Sequence, residues 1–303
     1  MKRAAVLVLF FVILGVSLAG LYWSQRRPKS TPVSSNAIVN LAADAQRDLT
    51  RIAMHFTRLS DEQEIAIGRE LAVQYAPETK ALSAEEQGLR KYVQRVGGTV
   101  AAHAHRHLAY TFSVIPDHGM INAFSLPGGP VYIGEGLLDL MESEDELAHI
   151  LAHEVEHIDH YHCVERVQLE AKLKNLNLKV VGQLLEIPWE LWQTGYHKDE
   201  EFEADREGMH LAVEAGYSPY GAVSLFERFT QLHKEYVIRA ENPAQELSEL
   251  AIQSLEGYFR THPLPSERLA QANRIIAEQH WESRKTQRPF RVEYEVHNGE
   301  FTR

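Results

Sequence analysis

Two rhythms of apolar positions run along this chain. A spacing of three to four residues marks helices, and alternation or short apolar runs mark strands. Ser60-Asp61-Glu62-Gln63 has the form of a capping box and predicts a helix to about Tyr75. Leu89, Tyr92, Val93 and Val96 keep the helical spacing, and Gly97-Gly98 predicts its end. Tyr110 to Ile115 alternates and is rich in β-formers, so a strand is expected there. Ile121 to Ile133 holds two short extended pieces around Pro127-Gly128-Gly129-Pro130. Ser143 and Glu146 form a second capping-box pattern, opening a helix to about His162. An amphipathic helix is expected from Val164 to Glu186, stopped by Pro188. Further helices are expected from Ile38 to Leu59, Lys198 to Ala215, Ala222 to Arg239 and Ser266 to Glu278. Asn298-Gly299 suggests a short hairpin in the tail. The sum is an α+β fold, mostly α, with a small β-sheet.

The N-terminus departs from this pattern. Ala4 to Trp23 is a run of uncharged, mostly apolar residues, long enough to cross a bilayer as a helix. Lys2-Arg3 and Arg26-Arg27 flank it, and Tyr22-Trp23 suits an interface. A cleaved signal peptide is the rival, with small residues at Ser17-Leu18-Ala19. Continuation of the run past Ala19 favours a membrane anchor with the body exported to the periplasmic or extracytoplasmic side. Cleavage would instead release the body into the periplasm. Residues 28–36 read as a Pro/Ser/Thr linker. The expected organisation is an anchor or signal peptide (1–27), a linker and helix (28–59), one main domain (60–280) and a tail (281–303).

Charge narrows the partners. The chain of 303 residues has a formal net charge of −11. Residues 1–30 hold five of the 31 basic side chains and no acid, which leaves 26 against 42, a net of −16. An acidic body argues against nucleic acid, whose phosphates dominate affinity. Cys163 is the only cysteine, so no intrachain disulfide is possible, and it reads as a buried small apolar group.

Chemistry enters at His153-Glu154-Val155-Glu156-His157, an H-E-x-x-H on a helix. Residues four apart share a face, so both imidazoles can reach one ion, and Glu154 can serve a water on it. A third protein ligand is needed. Glu200, Glu201, Glu203, Asp205, Glu207 and His210 on the helix from Lys198 are candidates, and spacing alone does not choose among them. Glu201 and Asp205 are four apart, so one could bind the metal while the other orients a ligand. Other histidines read as bystanders. His103-Ala104-His105-Arg106-His107 looks like a metal tract on a strand, but the embedded Arg106 and missing acids mark it as a surface segment. His160 and His162 are expected to be exposed or to support a ligand.

Several motifs together resemble one family. His153 to His157 followed by Glu201-Phe202-Glu203-Ala204-Asp205-Arg206-Glu207-Gly208 resembles the zinc metallopeptidases of the CAAX prenyl protease and the HtpX heat-shock protease, peptidase family M48. Glu64 to Gly68, Asn122 to Gly129, Gly136-Leu137-Leu138, Glu144 to Ala148, and Thr261-His262-Pro263 with Arg268 are similar to other elements of that family. The resemblance implies a gluzincin-like domain with an active-site helix and one zinc ion per chain. It implies Glu201 as third ligand, Asp205 behind the ligands, and Glu154 as general base. It implies His262 near the metal, as a regulatory group or fourth ligand, and Arg268 in the late H-P…R element. It further implies that Asn122, Ala123, Phe124 and Ser125 form the edge strand along which a polypeptide substrate lies. The chain is similar to the soluble or singly anchored exported branch, so the expected activity is zinc endopeptidase action on unfolded or misassembled exported proteins. A chaperone-like client-binding protein with a latent zinc site is the alternative, and a non-peptidase zinc hydrolase the third reading.

Overall fold

The computed structural model describes residues 59–75, 83–174, 195–240, 258 and 262–291. The expected anchor, linker, first helix, Pro188 stop and tail hairpin lie outside the described residues. No helix among the described residues is long and apolar enough to cross a membrane.

In chain order the elements are α1 (Asp61–Ala72), α2 (Ala84–Ala101), β1 (Thr111–Ile115), β2 (Ala123–Ser125), β3 (Pro130–Gly134), α3 (Glu135–Leu138), α4 (Glu144–Asp159), α5 (His162–Leu173), α6 (Lys198–Glu214), α7 (Tyr220–Ala240) and α8 (Pro265–Glu278). The fold is therefore α+β and mostly helical. The sheet runs β1-β3-β2, with β1 and β3 parallel and β2 antiparallel at an edge. Gly128 (φ 78°) and Gly129 (φ 134°) turn the chain from β2 into β3 in backbone regions that side chains rarely adopt.

Helix α4 lies at the centre, packed by α6, α7, α2 and β2, and every one of its residues is buried. Its apolar side chains Leu147, Leu151, Val155 and Ile158 join the main core. Four of its buried acids, Glu144, Asp145, Glu146 and Asp159, are partnered by other parts of the chain. Arg95 lies 2.8 Å from Glu144, and Arg228 donates two hydrogen bonds of 2.9 and 3.0 Å to Glu146. The Ser218 amide donates to Asp145, and the Arg106 amide to Asp159. Such pairing is the condition for charge in a core, because an unpartnered buried carboxylate costs several kcal/mol.

Four expectations change here. The run through Gly97-Gly98 does not stop; α2 continues to Ala101. A Cβ on Gly97 would lie 2.4 Å from Phe112 Cγ, so this glycine admits a β1 ring against the helix instead of ending it. Ser143 caps α4 by accepting the Glu146 amide, but no reciprocal box forms. The Glu146 carboxylate instead accepts the Glu142 amide and binds Arg228, a stronger tertiary partner. The motif helix ends at Asp159, not His162, because Tyr161 adopts φ 65°, and the next helix opens at His162. Finally, α1 ends at Ala72 and tightens into a 3₁₀ turn through Tyr75.

The histidine tract lies at the surface as expected, but its Arg106 does not. It forms a turn in which His103, His105 and His107 are exposed while Ala104 is buried. Arg106 points inward to the fully buried Glu64, at 2.6 and 3.3 Å, and to the Ile158 carbonyl at 2.7 Å. Glu64 also accepts the Gly128 amide at 3.0 Å. One ion pair therefore ties α1, the β2–β3 turn and the end of α4 together.

Candidate metal centre

Helix geometry places His153 and His157 one turn apart on α4. Their Nε2 atoms lie 3.1 Å from each other. Helix α6 can approach this point because position 208 is glycine. A Cβ there would sit 3.0 Å from the His153 nitrogen and 3.2 Å from the Ala152 carbonyl carbon. The approach brings Glu201 to the rings, with Oε2 3.5 Å from His153 Nε2 and Oε1 3.9 Å from His157 Nε2.

This donor set fits a metal ion. Zinc–ligand bonds of about 2.0–2.1 Å in tetrahedral geometry separate neighbouring donor atoms by roughly 3.3 Å. The observed separations bracket that value, and all three residues are buried. Of the acids that spacing left open, Glu201 faces the cluster. Glu200 accepts the His197 amide, Glu207 pairs with Arg206 and Glu203 reaches His162.

Each ring has a partner behind it. Asp205 Oδ1 lies 2.9 Å from His153 Nδ1. A carboxylate accepts, so that nitrogen carries the proton and the Nε2 lone pair faces the cluster. Arg268 in turn donates to both Asp205 oxygens, at 2.8 and 2.5 Å, and to the Tyr258 hydroxyl at 2.6 Å. Behind His157, His162 Nδ1 lies 2.9 Å from His157 Nδ1, and the Tyr196 ring stacks on the imidazole at 3.8 Å.

Glu154 lies beside this group and lines a cavity with Asn122, His157, Glu201 and His262. Ser125 Oγ donates to its Oε2 at 2.9 Å. His262 Nδ1 lies 2.7 Å from Glu201 Oε2, and its Nε2 lies 3.5 Å from Asn122 Oδ1. Ala123, Phe124 and Ser125 make up β2, so the expected substrate strand borders the same cavity.

The electrostatics follow from burial set against these partners. Burial disfavours charge on His153, but the hydrogen bonds it donates to Asp205 and Glu201 outweigh that and raise its pKa to about 9. A bound cation would compete for the same Nε2 lone pair and displace that proton. Burial, then the nearby His153, pushes His157 well below the ordinary imidazole value, which keeps it neutral. Burial raises Glu154, against the pull of His153, His262 and Ser125. Glu201 is buried too, yet His262 and His153 hold it well below the usual carboxylate range. Asp205 is likewise drawn down to about 2 by Arg268 against its burial.

Residues 84–276 match the sequence profile of Peptidase family M48. The chain belongs to that family. The family is one of metallopeptidases, so the three-residue cluster could hold its metal ion. The chain is similar to a putative beta-barrel assembly-enhancing protease of Vibrio cholerae, with 27% identity over 60% of this chain and 38% of that protein. It is 31% identical to the mitochondrial metalloendopeptidase OMA1 of Schizosaccharomyces pombe, over 41% of this chain and 40% of the relative. The beta-barrel assembly-enhancing protease of Yersinia pestis is 25% identical over 71% of this chain and 44% of its own length. The chain thus spans about four tenths of the length of these curated relatives.

Some residues of the site left little trace in the sequence. Tyr196 precedes Glu201 by five residues, outside the helix, and no spacing rule draws attention to it. His162 was expected to be exposed or to support a ligand; it is buried against His157, a pairing that a continuous helix would not bring about. Ser125 was expected to border the substrate, and it also touches Glu154.

Proposed function

We propose that this protein is a zinc-dependent endopeptidase acting on unfolded or misassembled exported polypeptides. The observation that carries the reading is the convergence of His153 Nε2, His157 Nε2 and a Glu201 carboxylate, with Glu154 beside them in one cavity. Zinc bound there supplies Lewis acidity toward a peptide carbonyl and lowers the pKa of water. His153, His157 and Glu201 hold the ion, and Asp205 with Arg268 keeps the His153 ring aimed. Glu154 Oε takes a proton from the attacking water and later delivers it to the leaving amine. Ser125 Oγ, bonded to Glu154 Oε2, holds that carboxylate in place. Asn122 and the β2 edge bind the substrate main chain by strand addition. Protein quality control as the setting, export, and attachment through Ala4 to Trp23 belong to this same proposal. The protein quality-control role suggested by the relatives' names, beta-barrel assembly-enhancing protease and OMA1, supports the first. The length and apolarity of the N-terminal run support the others.

A second reading follows from His262. Its 2.7 Å approach to Glu201 and its place in the cavity suit a latent enzyme that holds clients until His262 moves. Purified protein incubated with casein tests both. Cleavage should be abolished by a chelator and restored by zinc. Glu154→Gln should retain about one metal per chain while losing at least about 10²-fold in turnover. Wild-type cleavage by Glu154→Gln would remove it as the base. A several-fold gain from His262→Ala would establish latency, and unchanged turnover would dismiss it.

A further inference from the structure

We infer that His162 is a positioning residue for the metal centre. It accepts the Nδ1 proton of His157 and thereby sets the ring orientation and tautomer with which His157 faces the metal. The inference rests on His157 being a ligand.

The hydrogen-bond chemistry admits one arrangement. His157 turns Nε2 toward His153 and Glu201, so its coordinating lone pair is on that atom. A neutral imidazole with a free lone pair on Nε2 carries its proton on Nδ1. That proton points at His162 Nδ1, 2.9 Å away, which must then accept. His162 therefore carries its own proton on Nε2, and the nearest carboxylate oxygen, Glu203 Oε2, lies 3.5 Å from that nitrogen. That Nε2 makes no hydrogen bond among the described residues, so the tautomer of His162 is set by its contact with His157. The side chains of His157 and His162 are 1% and 0% exposed, so solvent does not replace either partner.

The backbone is shaped to allow this. At 100° per residue, a residue five along a continuous helix points about 140° away from the first. His162 reaches back under His157 because α4 ends at Asp159 and Tyr161 enters the left-handed region at φ 65°. For a residue with a side chain that conformation costs about 1–2 kcal/mol. The break is clamped from elsewhere. Arg106 donates to the Ile158 carbonyl at 2.7 Å, and its guanidinium lies 3.9 Å from the centre of the Tyr161 ring. Glu64 on α1 holds Arg106 in turn. Two distant stretches of chain, α1 and the segment around Arg106, thus converge on a turn whose result is the His157–His162 contact. The two histidine ligands are backed unequally, His153 by a carboxylate and His157 by a neutral ring.

Zinc affinity by competition with a chromophoric chelator, together with the visible spectrum of the cobalt-substituted protein, tests the inference. The variants are His162→Leu, His162→Asn and His162→Gln, with His157→Ala beside them. Asn keeps a polar atom near the place of Nδ1, whereas Gln carries its amide toward the place of Nε2. His162→Leu should weaken zinc binding about 10–100-fold and alter the cobalt spectrum, and Asn should recover both more fully than Gln. Leu within about threefold of the parent, or Asn no better than Gln, would overturn the proposal. Metal-free melting curves report folding, and if Leu does not fold, the Asn and Gln pair decides. Parent-like affinity in His157→Ala would instead sink the ligand reading itself, which keeps the two failures distinct.

Discussion

Replacing Arg268 with methionine tests whether the strut behind His153 is electrostatic. Arg268 has 1% of its side chain exposed and Asp205 has 4%. The guanidinium supplies two hydrogen bonds to that carboxylate and one to the Tyr258 hydroxyl. Methionine fills much of the volume but leaves the buried Asp205 carboxylate, among the described residues, to the His153 imidazole alone. Removing one partner of a buried pair costs about 3–5 kcal/mol. The acid side of the stability curve offers a second measure. Asp205 is held at about 2 against its ordinary 3.8, worth about 2 kcal/mol. Because the folded value is depressed, this stability is present above pH ~4 and is lost as pH falls through 3.8 toward 2. Urea unfolding with a chelator present, from pH 7 down to pH 3, reads both quantities without the linkage of metal binding. Arg268→Met should lose about 3–5 kcal/mol at pH 7 and show a shallower acid decline. Adding Asp205→Leu should recover much of the loss, since an apolar pair of similar volume replaces the ions. A loss below about 1 kcal/mol, or a double variant no better than the single one, would refute the reasoning.

Three further predictions use the same logic. Gly97→Ala gains about 1 kcal/mol of helix propensity but places a methyl 2.4 Å from Phe112 Cγ. The net should be a loss of about 1–3 kcal/mol, and a stabilised variant in a thermal melt would contradict the packing argument. Burial pushes the Cys163 thiol up to about 12, so native protein at pH 8 should resist a thiol reagent that labels one site per chain in urea. Rapid native labelling would show that the thiol is accessible. Arg106→Met strips the cation from Glu64, which has no exposed surface, and should cost about 3–5 kcal/mol by urea unfolding. A change within about 0.5 kcal/mol would place the residue among ordinary surface arginines.

Much of the architecture was legible in the chain because its cues are local. Ser60 caps α1 as its sequence requires, with both halves of the box formed. The alternation around Phe112 and Val114 gave a strand, and Pro127-Gly128-Gly129-Pro130 gave the turn between β2 and β3. The two histidines one turn apart are likewise local, since helix pitch alone puts them on one face. Where local cues misled, a distant residue had intervened. Phe112 gave Gly97-Gly98 a packing role, and Arg228 drew Glu146 out of its box. Arg106, set among three histidines, turned inward because the fully buried Glu64 lies there to pair with it.

The sequence by itself determined the α+β class, the H-E-x-x-H face and, through motif resemblance, the family. Spacing on α6 offered six possible third ligands; motif resemblance pointed to Glu201, and tertiary packing shows physically which of them faces the rings. The close crossing at Gly208 sets α6 against α4 so that Glu201 faces the rings and Asp205 stands behind His153. The left-handed turn at Tyr161, clamped by Arg106, likewise decided that His162 supports His157. Periodicity reports which face of an element a residue occupies. It carries no information about the distance or angle at which two faces meet, and a metal centre depends on those to within a few tenths of an ångström.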